Sequence, residues 1–408
     1  MFGRRGSSVA LSTSLIALGI CIGAAAPAQA AWSTPVKPPA ACTPTTGLNV
    51  ARNAAGTWVL VGAFTQSDGS SAVESCTSSD GVSWSGPSMI GPGNGPSVAV
   101  APSGRAVVAF HAPYPALNME ASVRPPGGNW SVPVAISSGA FSGQVLIKMD
   151  GSGNTIAVWA GTRATSPLAM ASLAANSTTW TPMNTLAPAG TGSLGLATNS
   201  SGGVVIGFRT NTPDRIEAIS GTILGGFGQP VVLGTAYGTA VRPIEVALND
   251  AGEAVLGWVT DDFAKVITRS PGGTWSAATQ LAGINAEGIG VAIDAAGNAV
   301  AGFGQDQATF GITAVYASKL PAGGAWGPAT LLSTLDARGK VAVGGDPTGT
   351  VVVSWVDNAG NVEALTIPPG GGFGPGTVVG AGPFTALTVY PGQAMLVIGA
   401  GIAKETVN

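Results

Sequence analysis

"PPGGNWSVPV" at residues 125–134 returns as "SPGGTWSAAT" at 270–279 and as "PAGGAWGPAT" at 321–330. Followed along the chain, the aromatic of this pattern gives Trp32, Trp84, Trp130, Trp180, Phe227, Trp275, Trp326 and Phe373, spaced 46 to 52 residues apart. A fixed period of that length marks a protein built by repetition.

A second signature follows each aromatic: an apolar run, a turn around glycine, and another apolar run that usually ends in an aromatic. It reads "NAAGTWVLVGAF" at 53–64, "APSGRAVVAF" at 101–110, "DGSGNTIAVW" at 150–159 and "NSSGGVVIGF" at 199–208. It continues as "NDAGEAVLGW" at 249–258, "DAAGNAVAGF" at 294–303, "DPTGTVVVSW" at 346–355 and a degenerate "VYPGQAMLVIG" at 389–399. Short β-branched runs bounded by glycine form hairpins, not helices. The turn glycines (Gly56, Gly104, Gly153, Gly202, Gly252, Gly297, Gly349 and Gly392) suit the positive φ of tight turns, and Asn or Asp just before them can bond the turn backbone.

One further short strand, such as "KVITR" or "AVYASKL", separates each hairpin from the next aromatic. Four antiparallel strands repeated at this period predict an all-β propeller. The chain enters on the Trp32 strand and leaves on a hairpin, so the N-terminal strand is expected to complete the last blade. Eight blades are predicted, with seven and a degenerate tail as the alternative. Residues 31–408 then form one domain.

Residues 1–30 read as a secretory leader: Arg4 and Arg5, an apolar stretch, and "AQA" before a cut after Ala30. Ile20 stands before Cys21, where a lipoprotein signal needs a small residue. No later stretch is apolar for the ~20 residues of a spanning helix. The expectation is export, outside the cell or in the periplasm. There Cys42 and Cys76 are expected to pair as a disulfide.

Charged residues are only 9% of the chain, against ~25% in ordinary domains, and the net charge is −3. Lys and Arg are scattered singly, which disfavours nucleic acid. His111 is the sole histidine, so a His-ligated zinc cluster is excluded and any triad would rest on it. No Asp-x-Asp-x-Asp-Gly calcium loop occurs, and no cofactor is expected.

"SSDGVSW" at 78–84 resembles a shortened Asp-box, whose pattern is Ser-x-Asp-x-Gly-x-x-Trp. Asp80 is displaced, whereas Gly81 and Trp84 keep their offset. The other repeats retain Gly and Trp and lose the Asp. The resemblance is to bacterial-neuraminidase-repeat, sialidase-like propellers, and it implies that the motif turns the third strand of a blade into the fourth. The sialidase equipment does not carry over. There is no Arg-Ile-Pro motif, and Arg242 and Glu245 have no tyrosine at hand.

The second-to-third strand loops are the most polar stretches and share a face with the links between blades. They offer His111, Tyr114, Arg163, Arg209, Asp214, Arg215, Asp261, Asp262, Asp306 and Asp357 as candidate binding residues around a central mouth. Asp261 and Asp262 are adjacent and point apart, which is poor geometry for paired acid and base. Trp159, Trp258 and Trp355 would stack sugars if they reached the mouth, but packing between blades fits them better. The resulting expectation is a secreted, non-catalytic module that binds carbohydrate or protein, of undetermined oligomeric state. A glycoside hydrolase or lyase with its site at the mouth, or a structural surface protein, are the alternatives.

Overall fold

A computed structural model describes residues 31–408 except 140, 142, 162–166, 189–192, 212, 236–243, 261–262, 282–285, 307–312, 334–336, 383, 392, 399–400 and 407–408. The described residues form eight antiparallel blades in a ring. Blade 1 comprises Thr46–Arg52, Trp58–Thr65, Ser71–Ser78 and Ser85–Pro92. The first strands of blades 2 to 8 are Asn94–Val100, Val145–Met149, Leu194–Thr198, Glu245–Leu248, Ala286–Ile293, Ala337–Gly345 and Phe384–Tyr390. Each first strand touches the next, and the eighth touches the first, so these strands enclose the axis.

The predicted closure is present, and it decides for eight blades over seven. Blade 8 has three strands of its own, ending in Gly401–Thr406. The segment at 33–36 supplies the fourth: Val36 N–H donates to Ile402 O at 2.9 Å, Ile402 N–H returns to Val36 O at 2.8 Å, and Ser33 N–H reaches Lys404 O at 2.7 Å. Just beyond, Cys42 is bonded to Cys76 on the third strand of blade 1, closing 34 residues. The N-terminal segment is thus fixed to the last blade by hydrogen bonds and to the first by a covalent bond.

Two sets of aromatics seal the gaps between blades. The first lies six residues past each turn glycine on the second strand: Phe110, Trp159, Phe208, Trp258, Phe303 and Trp355, all within 1% of full burial. Each packs against the preceding blade; Trp159, for example, lies among Val107, Ala109 and Met119 of blade 2. Beside these aromatics on the sequence stand Gly207, Gly257 and Gly302, where a Cβ would strike Ile or Val side chains of the following blade. A large residue thus fills the gap on one side of the strand, and a missing side chain admits the neighbour on the other. Blade 1 carries Gly62 at the aromatic position, and Pro44 occupies the space instead.

The second set is the repeating aromatic of the sequence. Trp84 packs with Met395 and Ile402 of blade 8, Trp180 with blade 2, Phe227 with blade 3, and Trp275 with blade 4. Trp130 donates its Nε1–H to Ser75 Oγ of blade 1 at 2.7 Å. One expectation needs correction: apart from Phe227, in the short strand Gly226–Phe227 paired with the third strand of its blade, and the single bridge Arg269↔Trp275, these aromatics precede the outer strands and do not lie within them. Those strands are as short as Val134–Ala135 and Thr279–Gln280. Proline and glycine around the aromatic deprive the ladder of donors and of backbone rigidity.

The hairpin turns bind one another. The seven turn glycines that are described have φ between +83° and +100°; Gly392 lies outside the described residues. Asn53, Asp150, Asn199, Asn249, Asp294 and Asp346 accept the N–H four residues on. Where the residue is Asn, its amide also reaches the equivalent carbonyl of the next blade: Asn53 to Ala101 O at 2.9 Å, Asn199 to Asn249 O at 3.2 Å, Asn249 to Asp294 O at 2.9 Å. These turns are structural clasps, as their sequence pattern implied.

Truncating Trp159 to alanine leaves a cavity between blades 2 and 3 and should cost about 3–5 kcal/mol, measured by denaturant unfolding. Reducing Cys42–Cys76 frees a loop that the chain-entropy relation values at about 4 kcal/mol. The melting temperature should therefore drop on reductant, and a Cys42→Ser/Cys76→Ser variant should melt low with or without it.

Candidate functional site

Polar loops at the ends of the second strands make up one face of the ring. Here most of the candidate residues are engaged locally. His111 ends the second strand of blade 2, Ala106–His111, and its Nε2 meets Gly143 O in the link to blade 3. Arg209 and Asp214 form a two-point ion pair across their own hairpin, Nε to Oδ1 and Nη2 to Oδ2, both 2.8 Å. Arg215 follows, half-buried on the same hairpin. Asp306 accepts from Thr313 Oγ1 at 2.8 Å. Asp357 accepts from the backbone and side chain of Asn361 at 2.7 and 2.8 Å. Burial would raise the Asp357 carboxyl, but those hydrogen bonds outweigh it and hold the group below its ordinary value. Tyr114 stands free, 83% exposed. Arg163, Asp261 and Asp262 lie outside the described residues. Of the candidates that are described, only Arg209 and Asp214 are brought together. Trp159, Trp258 and Trp355 are buried between blades and do not reach the mouth.

Two open clefts among the described residues lie on the opposite, turn-bearing face. A cleft of about 360 Å³ separates blades 5 and 6. Its blade 5 wall carries Glu253, Arg269, Ser270, Thr274 and Trp275; blade 6 supplies Ile293, Leu320 and Gly297. The local fold explains each position. Glu253 follows the turn glycine Gly252 and also accepts from Asn249 Nδ2 at 2.8 Å. Arg269 ends the third strand Phe263–Arg269, and its Nη1 donates to Gly252 O at 2.8 Å, which anchors the guanidinium flat beside the turn. Trp275 is half-buried, with its inner part in the seam to blade 4 and its remaining edge on the cleft. An aromatic surface, a fixed planar donor, a carboxylate and hydroxyls therefore converge on one recess.

A second cleft of about 320 Å³ lies one blade further on, between blades 6 and 7. Lys319, Leu320, Pro321, Asp294 and Asn298 of blade 6 face Ile367, Pro368 and Gly371 of blade 7. Lys319 Nζ donates to Gly371 O and sits 4.5 Å from the centre of the Phe373 ring. Burial pushes the Lys319 ammonium below its ordinary value.

The axis has its own charges. Lys148 and Glu245 are exposed to solvent on the first strands of blades 3 and 5, inside the ring of first strands that encloses the axis. That enclosure pushes Glu245 up to about 7, with Lys148 opposing the shift. The Lys148 ammonium is lowered by the same enclosure, with Glu245 opposing it. Among the described residues no group of three or more His, Cys, Asp or Glu could hold a metal ion, and no helix is long and apolar enough to cross a membrane.

Sequence reasoning passed over Glu253 and Arg269. The signal was present in the repeat: the residue after the turn glycine is Thr57, Arg105, Asn154, Gly203, Asn298, Thr350 or Gln393 in the other blades, and glutamate in blade 5 alone.

The fold defines the class as an eight-bladed β-propeller. No protein-family model matches the sequence, and comparison with curated proteins gives no significant match. Among solved structures, the ring is similar to the BP39L lectin of Burkholderia pseudomallei, with TM-score 0.55 and 13% identity over 83% of this chain and 99% of that one. A polysaccharide lyase described as an ulvan lyase aligns at TM-score 0.49 and 9% identity, covering 86% and 96% of the two chains. The six-bladed fucose-recognising lectin of Aleuria aurantia aligns at 0.40 and 13%, covering 72% and 96%. At these identities the first match speaks to the fold, and the other two are too distant to support any argument.

The enclosed glutamate makes a pH prediction. Its value in the fold lies above the ordinary 4.5, so the folded chain binds more protons between those limits. Stability from neutral Glu245 is present below pH about 4.5 and is lost as the pH rises through about 7. Thermal midpoints should fall across that window, and Glu245→Gln should flatten the fall. An unchanged slope in the variant would show that other groups govern it.

Proposed function

We propose that this protein is an exported, non-catalytic carbohydrate-binding propeller whose principal site is the cleft between blades 5 and 6. One observation carries the proposal: Trp275, Arg269 and Glu253 meet in a recess of about 360 Å³ that is open to solvent. A sugar presents an apolar C–H face and a rim of hydroxyls. The exposed indole surface of Trp275 covers the first, while a guanidinium and a carboxylate donate to and accept from the second. Because Gly252 O already holds Arg269, little side-chain freedom is lost on binding.

Three further features support the reading. The leader-like start of the sequence and the Cys42–Cys76 bond both suit an oxidising compartment outside the cytoplasm. The Burkholderia pseudomallei protein, described as a lectin, has a similar ring. The turn at 78–84, whose sequence resembles a shortened Asp-box, is held by its own polar side chains: Asp80 Oδ1 accepts from Val82 and Ser83 N–H, both at 2.7 Å, and Ser78 Oγ from Gly81 N–H at 2.7 Å. Those backbone donors hold the Asp80 carboxyl well below the usual carboxylate range.

The mature chain should give discrete signals on a glycan array. Trp275→Ala and Arg269→Ala should each weaken the bound glycan by about tenfold or more, the loss of about 1.4 kcal/mol or more. Tyr114→Ala, on the far face, should leave binding unchanged. A blank array, or equal binding by all variants, would refute the site.

A further inference from the structure

We infer that the clefts between blades 5 and 6 and between blades 6 and 7 are two subsites for a single neutral oligosaccharide chain. The inference rests on the carbohydrate reading above and extends it to ligand length and charge.

Continuity comes first. Leu320, on the third strand of blade 6, lines both clefts. Blade 6 is the only partition between them, and packed sheets stand about 10 Å apart. A ligand occupying both recesses must therefore cross the blade's turn edge, which is further than one sugar ring extends. That edge is low: it consists of the turn Asp294–Gly297 and the connection Pro321–Gly324, with no bulky side chain.

Two other junctions on this face are bridged by a side chain. At the junction of blades 2 and 3 the position of Glu253 is taken by Arg105, which reaches across to Gly153 O and Ser177 O. Where blade 8 meets blade 1, Lys404 reaches Asp80 O and lies 4.9 Å from the Trp58 ring centre. By contrast, Glu253 bonds back to Asn249 of its own blade, with its carboxylate beside Gly297 of blade 6, and the cleft remains next to it. Lys319 crosses the seam of the second cleft in the same way, to Gly371 O, yet a recess of about 320 Å³ remains beside it. The two clefts are therefore neighbouring recesses on one face.

Charge fixes the ligand class. Each cleft is lined by one cation and one carboxylate, Arg269 and Glu253 in the first and Lys319 and Asp294 in the second, where Asp294 already accepts from Ala296 and Asn298 and Lys319 donates to Gly371 O. A uronate or sulfated chain would meet a carboxylate in both recesses, in a chain that is already net negative. Hydroxyls can use donors and acceptors alike. Leu320, Pro321, Ile367 and Pro368 add apolar surface for ring faces in the second cleft.

The test uses the mature chain and arrays carrying ladders from monosaccharide to hexasaccharide, in neutral and in uronate series. Expected is binding to a neutral ladder, with affinity rising about tenfold or more between the shortest and longest members. It should vary little between about 50 and about 500 mM salt, because exposed charge contacts would be screened over that range. Lys319→Ala, or Lys319→Gln if the alanine variant does not fold, should reduce the length gain to less than about threefold. Equal affinity for monosaccharide and hexasaccharide, a length gain untouched by both Lys319 variants, or preference for the uronate ladder would overturn this inference while leaving a carbohydrate site standing. Failure to bind any ladder would overturn the carbohydrate reading, and this inference with it.

Discussion

The seam between blades is the constraint on which the molecule depends. A four-stranded sheet of this size has too little interior to be stable alone, so each blade must bury both flat sides against neighbours. Trp159, Phe208, Trp258, Phe303 and Trp355 meet that need from the second strands, and Trp84, Trp180, Phe227 and Trp275 from the connections nearer the rim. Each large residue faces the preceding blade, and glycines on the other side of the strand admit the following one. Because the same asymmetry repeats, the stack turns steadily in one direction. It ends only when blade 8 meets blade 1.

Closure is where a repeating structure must be different. Blade 8 brings three strands, and the N-terminal segment completes it through Ser33 and Val36. The Cys42–Cys76 bond then ties that segment to blade 1. Around the same junction the repeat rules are suspended. Gly62 replaces the seam aromatic, and the Arg52 guanidinium lies between the Trp58 and Tyr390 rings at 5.5 and 5.4 Å. Arg52 N–H donates to the Tyr390 hydroxyl at 3.0 Å, and burial pushes that phenol up to about 12, with Arg52 opposing the shift. A disulfide, hydrogen bonds and cation–π contacts meet where the ring would otherwise open.

The proposed site arises from the same economy. A seam filled perfectly on every blade would leave no recess on the turn face. Where Arg105 follows the turn glycine the gap is bridged; where Glu253 does, a cleft remains beside it. A difference at one variable position of the repeat thus separates a sealed junction from one able to receive a ligand. The polar loops of the other face look more like binding equipment when read as text. In the structure, His111, Arg209, Asp214, Asp306 and Asp357 are engaged with their own hairpins and links.

The period of the aromatics, the glycine at every hairpin and the chain's entry on the Trp32 strand determined the class and the expected closure, and the hydrogen bonds of Val36 with Ile402 decided eight blades over seven. Those sequence features are local, or recur at a fixed interval, and sterics around a positive φ or a buried indole leave few alternatives. What only the tertiary structure decided is which gaps between blades stay open, because that depends on side chains some 45 to 50 residues apart. Arg269, Trp275 and Gly297 converge across a seam whose width is set by packing, and no spacing along the chain encodes it. The repeat identifies the ring, and the departures from the repeat, seen in three dimensions, identify the recess.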